Sequence, residues 1–114
     1  MDIEAVAARA LKAALGVPAY LEAPKEAPEE FITVEATRAT GGFTDRVALD
    51  IDCLAPPNSR KRAKALAERV MGAVPGLCSE PCIFAPAVAN WYRMNEPDTN
   101  RSRYVIQVEL TVCE

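Results

Sequence analysis

The chain has 114 residues, of which 50% are apolar and 25% charged, and this is the composition of one ordinary globular domain. Its net charge of −3 argues against non-specific DNA binding by the whole surface. No apolar run is long enough for a membrane-spanning helix, and the acidic start Met1-Asp2-Ile3-Glu4 is unlike a basic secretory signal. We therefore expect a single cytosolic domain, residues 1–114, with neither nucleic acid nor membrane as a partner.

The first predicted element is a helix over residues 2–15, because apolar residues recur there at helical spacing. Asp2 is its expected N-cap, and Gly16 with Pro18 ends it. A short extended segment over residues 17–22 follows, which Pro18 places at a sheet edge. Residues 23–30, rich in acid and proline, are expected to form an exposed loop.

Two alternating runs then predict an antiparallel hairpin. The first run covers residues 31–37, and the turn is expected at Thr40-Gly41-Gly42. The return strand covers residues 46–54, where Val47, Leu49, Ile51 and Cys53 alternate with polar residues. Asp50 and Asp52 therefore lie on one face of this strand, which we expect to be the solvated face.

A second helix is predicted from Ser59 to Val74, with Asn58 or Ser59 as its cap and Pro75-Gly76 as its end. Its first turn carries Arg60, Lys61 and Arg62, each of which costs roughly 0.3–1 kcal/mol at the positive end of the helix dipole. A basic turn in this position has three interpretations: a phosphate contact, a merely solvated turn, or a contact with an acidic patch on a neighbouring subunit. Asp50, Asp52 or the loop over residues 26–30 would provide that patch.

The C-terminal part predicts a bent or edge strand over residues 83–94, interrupted by Pro86, and a turn over residues 95–100. Residues 104–112 form the clearest strand, with Ile106, Val108, Leu110 and Val112 on one face. The order of elements predicts a two-layer α+β sandwich, in which two helices pack on one face of a four- or five-stranded, mainly antiparallel sheet.

Residue chemistry predicts no enzyme and no cofactor. The chain has no histidine, which excludes Ser/His/Asp and Cys/His catalytic arrangements. Cys78 and Cys82 form one close pair, a weak alternative metal site that could include Asp50 and Asp52. Cys53 and Cys113 are expected to be small apolar residues in or near the core, and disulfides are not expected in a cytosolic chain. The cluster Trp91-Tyr92-Arg93 has two interpretations, a base-stacking platform or packing of a sheet end under a loop, and the second is favoured because no lysines are interleaved with the aromatic residues.

The layout as a whole carries a resemblance. A helix and a proline-containing segment precede a strand, Gly41-Gly42 and a strand with alternating acids. The break Ala55-Pro56-Pro57 then precedes a helix of the type Ala63-x-x-Leu66-Ala67-x-x-Val70. A Pro97-Asp98 turn leads to a last strand that starts Arg101-Ser102-Arg103-Tyr104. This pattern resembles the small tail-terminator, or tail-completion, proteins of long non-contractile-tailed phages and their prophages, which are minor tail proteins of the neck region.

The resemblance implies a structural virion protein. Such subunits assemble as six-membered rings on the head-proximal end of the tail tube, stop its polymerisation, and offer a surface to head-completion proteins. The implied partners are further copies of the chain, the major tail tube protein and head-completion proteins, and the subunit alone can be a monomer. The implied location is the virion tail after assembly in the bacterial cytoplasm, or the cytoplasm when a prophage expresses it. Alternatives are another head–tail connector protein, a small metal- or ligand-binding module, and a nucleic-acid-binding accessory protein.

The basic turn Arg60-Lys61-Arg62 stands out in a chain whose net charge is negative. Such a charge distribution suits head-to-tail contact between copies, in which unlike surfaces meet. The candidate residues for the subunit or tube interface are Arg60, Lys61, Arg62, Asp50, Asp52, Arg101 and Arg103.

Overall fold

Two helices and a five-stranded sheet form a two-layer α+β sandwich, as the sequence predicts. The computed structural model describes residues 2–39 and 44–113. The helices are α1 (Ile3–Leu15) and α2 (Arg60–Ala73), and the strands are β1 (Ala19–Tyr20), β2 (Phe31–Ala39), β3 (Thr44–Ala55), β4 (Ile83–Arg93) and β5 (Ser102–Cys113). The predicted turn at Thr40-Gly41-Gly42 lies outside the described residues.

The strands follow the order β1-β2-β3-β5-β4 across the sheet. β1 is parallel to β2, and the pairs β2–β3, β3–β5 and β4–β5 are antiparallel. The two longest strands, β3 and β5, therefore lie side by side near the middle. The short β1 and the irregular β4 form the two edges.

Helix α1 begins and ends as the sequence predicts. The Asp2 side chain accepts a hydrogen bond from the Ala5 backbone N–H at 3.2 Å. At the other end Gly16 adopts φ 68°, and its N–H donates to the Lys12 carbonyl at 2.8 Å. Glu4 then ties the helix to the sheet, because its carboxylate accepts the Ala36 N–H at 2.7 Å.

The core lies between the helices and one face of the sheet, and the predicted alternation supplies it. The inward residues of β3 and β5 are buried, as is the apolar stripe of α2: Val47, Leu49, Ile51, Cys53, Ile106, Val108, Leu110, Val112, Ala63, Leu66, Ala67 and Val70. Alanines Ala7 and Ala8 on α1 and Ala63 and Ala67 on α2 let the helices lie close to the sheet. Full burial of one Leu or Val side chain contributes about 1.5–3 kcal/mol.

The two ends of α2 differ in part from the prediction. Ser59 occupies the N-cap position, but its side chain makes no capping hydrogen bond. Its hydroxyl donates instead to the Pro57 carbonyl at 3.4 Å, and its backbone N–H donates to the buried Ser102 hydroxyl on β5 at 3.0 Å. Beyond Ala73 the chain does not turn away at Pro75-Gly76, because it continues as a 3-10 helix over Val74–Ser79.

Both edges of the sheet are poorly suited to strand addition. β1 has two residues and follows Pro18. β4 contains Pro86, shifts register with β5 at two places, and has Ala85 at φ 51°. Its Trp91 N–H is already engaged by the Asn90 side-chain oxygen at 2.9 Å. Prolines, bulges and short strands are the usual means by which proteins protect a sheet edge from another chain.

The cysteine expectation is confirmed for Cys53 and wrong for Cys113. Cys53 is buried in the core on β3, whereas Cys113 is exposed at the end of β5. The reason is the alternation of a strand: Val112 points into the core, so the next side chain points away from it. No helix in the described part of the chain is long and apolar enough to cross a membrane.

Candidate functional site

A cleft of about 490 Å³ opens on the sheet face that is turned away from the helices. Its lining includes six carboxylates and a single basic side chain, Arg103. We call it the acidic cleft, after its acidic residues Glu22, Glu35, Asp50, Asp52, Glu96 and Asp98. Apolar side chains share the lining, and Leu21, Tyr92 and Met94 among them are exposed. The surface therefore combines negative charge with uncovered apolar area.

Strand pairing brings the carboxylates together. Glu35 on β2 lies directly opposite Asp50 on β3, and Asp52 lies two residues further along the same face. Like charges in directly opposite positions of a sheet repel each other. Two loops at the same end of the sheet complete the cleft: the loop before β2 adds Glu22, and the loop between β4 and β5 adds Glu96 and Asp98. This concentration of negative charge favours the approach of a cationic group.

Asp52 is the carboxylate most affected by this environment. Burial raises its pKa above the ordinary aspartate value, and the charges of Asp50 and Glu35 raise it further. Arg103 opposes the change, because its Nη1 lies 3.3 Å from an oxygen of Asp52. Arg103 also donates from Nε to the Met94 carbonyl at 2.9 Å, which fixes the guanidinium at the wall of the cleft.

The opposite side of the molecule is basic. Helices α1 and α2 together carry seven basic and two acidic residues. The exposed members are Arg9, Lys12, Arg60, Lys61, Arg62, Lys64 and Arg69. We call this surface the basic helix layer. The sandwich thus has a basic helix layer on one side and the acidic cleft on the other, where the rest of the outer sheet face also carries Arg38 and Arg46.

One residue of the predicted basic turn is engaged within the chain. Arg62 pairs with Glu30 at 2.6 Å and with Glu29 at 3.1 Å. One interpretation of the basic turn is a contact with the acidic loop of a neighbouring subunit, but for Arg62 the contact with that loop is made inside one chain. Arg60 and Lys61 are exposed on α2.

Arg101 and Arg103 hold loops to the sheet. Arg101 donates to the Glu29 carbonyl at 3.1 Å, and its guanidinium lies 5.2 Å from the centre of the Phe31 ring. Of the predicted interface residues, the structure therefore brings Asp50, Asp52 and Arg103 together in the acidic cleft. Arg62 and Arg101 meet at the loop that contains Glu29, and Arg60 and Lys61 belong to the basic helix layer.

The aromatic cluster divides between two surfaces. Trp91 packs on Tyr104 of β5 with ring centres 5.5 Å apart, whereas Tyr92 lines the acidic cleft. The Trp91 contact agrees with packing at a sheet end, and the two rings do not form one continuous stacking platform.

The alternative metal site that would combine Cys78 and Cys82 with Asp50 and Asp52 is wrong. Asp50 lies opposite Gln107 on β5, whereas Cys82 lies beside Cys113, six residues further along that strand. Six strand residues span about 20 Å, which is far beyond the reach of one metal ion. Within residues 2–39 and 44–113, no three His, Cys, Asp or Glu side chains are grouped so that they could hold a metal ion.

Sequence reasoning missed four carboxylates of the cleft, Glu22, Glu35, Glu96 and Asp98, and two basic residues of the helix layer, Arg9 and Lys12. Each residue is visible in the sequence as a charge in a loop, on a strand or on a helix face. Only the sheet order places the two loops at one cleft and the two helices on one side.

Comparison with protein-family models found no match, and comparison with curated proteins found none either.

Proposed function

We propose that this protein is a structural subunit of a phage or prophage tail, similar to the tail terminators, that caps the head-proximal end of the tail tube as a ring. The observation that carries the proposal is the separation of charge between the acidic cleft and the basic helix layer. A ring requires two different, complementary patches on each subunit, because each copy meets its neighbours through unlike surfaces.

The two patches are opposite in sign and similar in the size of their charge. The acidic cleft has six carboxylates against one guanidinium, and the helices have seven basic against two acidic residues. Complementary potentials of this kind set the orientation of partners and disfavour like-to-like contact. The exposed Leu21, Tyr92 and Met94 at the cleft would add apolar contact, which the core of a protein interface normally includes.

The form of the two sheet edges favours contact between copies through the faces of the sandwich rather than through its edge strands. Because β1 is short and β4 is interrupted, strand addition between copies is disfavoured on both sides. A helix-to-cleft contact occupies the loop end of the sheet and leaves its edges and its opposite end uncovered. In a six-membered ring these uncovered surfaces would face the tail tube protein and the head-completion proteins.

The proposal is tested by tail-tube length. The reading frames beside the gene should encode a major tail tube protein, and that protein should be assembled with and without this chain. We expect tubes that stop growing, with a ring visible at one end in electron micrographs, only when the chain is present.

A matched variant sharpens this experiment. Arg60→Glu with Lys61→Glu and Lys64→Glu removes positive charge from exposed positions of the helix layer. It should fold but fail to limit tube length. If wild-type protein leaves tube length unchanged, or if the flanking frames encode no tail protein, the terminator function is wrong. Binding to head-completion proteins without any effect on tubes would favour another connector role.

A further inference from the structure

We propose that Cys82 and Cys113 form a reversible intrachain disulfide when the protein meets a small disulfide oxidant such as oxidised glutathione. The inference concerns a different part of the molecule from the acidic cleft, and it does not depend on the proposed function. It is carried by the register of β4 against β5 and by the exposure of the thiols.

The register places the two residues directly opposite each other. Ile83 pairs with Val112, so Cys82, the residue before β4, faces Cys113, the last residue of β5. The Cys113 N–H donates to the Cys82 carbonyl at 2.9 Å, which is one of the two hydrogen bonds of a hydrogen-bonded pair. In such pairs the Cα atoms are about 5.5 Å apart, within the 4.4–6.8 Å that disulfides usually span. Opposite residues of an antiparallel pair also project to the same face.

The four cysteine side chains differ in how far they are exposed to solvent, and so to an oxidant. Cys113 is exposed and Cys82 is partly exposed, so a small oxidant can reach the pair. Cys53 is buried, and burial together with the nearby Asp52 charge raises its pKa far above the ordinary thiol value. Cys53 should therefore remain a thiol under the same conditions. Cys78 is exposed at the end of the 3-10 helix and is the competing partner.

The disulfide would form by two successive thiol–disulfide exchange reactions. The Cys113 thiolate attacks one sulfur of oxidised glutathione, forming a mixed disulfide and releasing one glutathione thiolate. The Cys82 thiolate then attacks the Cys113 sulfur, and the second glutathione thiolate leaves. Two protein thiols are oxidised to one disulfide, and the oxidant is reduced to two thiols, which take up the two protons.

The bond would link the start of β4 to the end of β5. β4 is an edge strand whose strand neighbour is β5, and its register with β5 shifts twice. A crosslink there closes the segment from residue 82 to residue 113 and should raise the melting temperature of the oxidised protein.

Peptide mapping tests the inference on the full chain. The protein is incubated with oxidised glutathione, its remaining thiols are blocked, and it is digested with trypsin without reduction. We expect residues 70–93, with Cys78 blocked, to be joined to residues 104–114, with a mass about 2 Da below the sum of the Cys78-blocked peptide and the unmodified C-terminal peptide. The same link should form in Cys78→Ser and should be lost in Cys82→Ser.

Other products would overturn the inference. A bond between Cys78 and Cys82 stays inside the peptide of residues 70–93 and would show the wrong pairing. An undiminished link in Cys82→Ser would assign the partner to Cys78. Stable glutathione adducts without any link, or unmodified thiols at Cys113, would show that the pair does not close.

Discussion

At the scale of one residue, the environment of Asp52 in the cleft disfavours the ionised form of its carboxylate. Its carboxylate is partly buried beside Asp50 and Glu35, and the Arg103 ion pair compensates only in part, so its pKa is raised. A raised pKa means that the folded protein binds the proton more tightly than the unfolded chain does. Ionisation of Asp52 therefore lowers the free energy of unfolding as the pH rises from the unfolded pKa, about 3.9, through the folded value.

Asp52→Asn should remove this contribution. The free energy of unfolding of the variant, relative to wild type, should increase as the pH rises from about 4 to 7, because only the wild type acquires the buried charge over that range. Urea unfolding at a series of pH values measures the difference. Asp98→Asn, at the exposed rim of the same cleft, is the control. An equal pH dependence in both variants would assign the effect to the cleft as a whole.

At the scale of elements, the basic first turn of α2 departs from the usual preference for acids at a helix N-terminus. The structure accounts for one of the three basic residues, because Arg62 pairs with Glu29 and Glu30 on the loop before β2. No comparable ion pair within the described residues accounts for Arg60 or Lys61. Their positions should therefore tolerate acidic residues.

Arg60→Glu with Lys61→Glu should preserve the fold and raise the free energy of unfolding by roughly 0.5–2 kcal/mol, since the helix dipole favours acids in the first turn. Chemical denaturation measures this change. Arg62→Glu is the contrasting variant, because it replaces two ion pairs with like charges and should be less stable than the double variant. Unfolding of the double variant would show that the basic turn is structural.

The spacing of apolar residues predicted the helices and strands well, because each element buries only one face and that face must be apolar. The inward residues of β3, β5 and α2 are all where the alternation and the helical stripe place them. Two details were less predictable. The Ser59 hydroxyl donates to the Pro57 carbonyl and makes no capping hydrogen bond. Pro86 predicted the interruption of β4 near the first register shift, but no such residue marks the second shift, between Val88 and Asn90.

At the scale of the whole molecule, negative charge collects in the acidic cleft and positive charge on the basic helix layer. The linear sequence shows this separation only in part. The run from Arg60 to Arg69 is visible as a basic spot, but Arg9 and Lys12 join it only because both helices cover the same sheet face. Likewise Glu22 and Asp98 are distant in sequence and meet at one cleft. Sequence reasoning therefore identified the sign of each region, and the topology determined the two surfaces.

The central claim is that the basic helix layer of one copy binds the acidic cleft of the next. Its most direct test combines two charge-reversed variants. One carries Arg60→Glu, Lys61→Glu and Lys64→Glu in the helix layer, and the other carries Glu22→Lys, Glu35→Lys and Asp98→Lys in the cleft. All six positions are exposed, so each variant should fold.

Sedimentation velocity at low ionic strength, where surface charges are least screened, should then be measured for wild type, for each variant and for their equimolar mixture. Low ionic strength strengthens the attraction between the two surfaces, so a subunit that is a monomer at higher salt should associate under these conditions. We predict oligomers for the wild type and for the mixture, and monomers for each variant alone, because each variant has like charges on both surfaces. A mixture that stays monomeric, or single variants that associate as the wild type does, would contradict the claim.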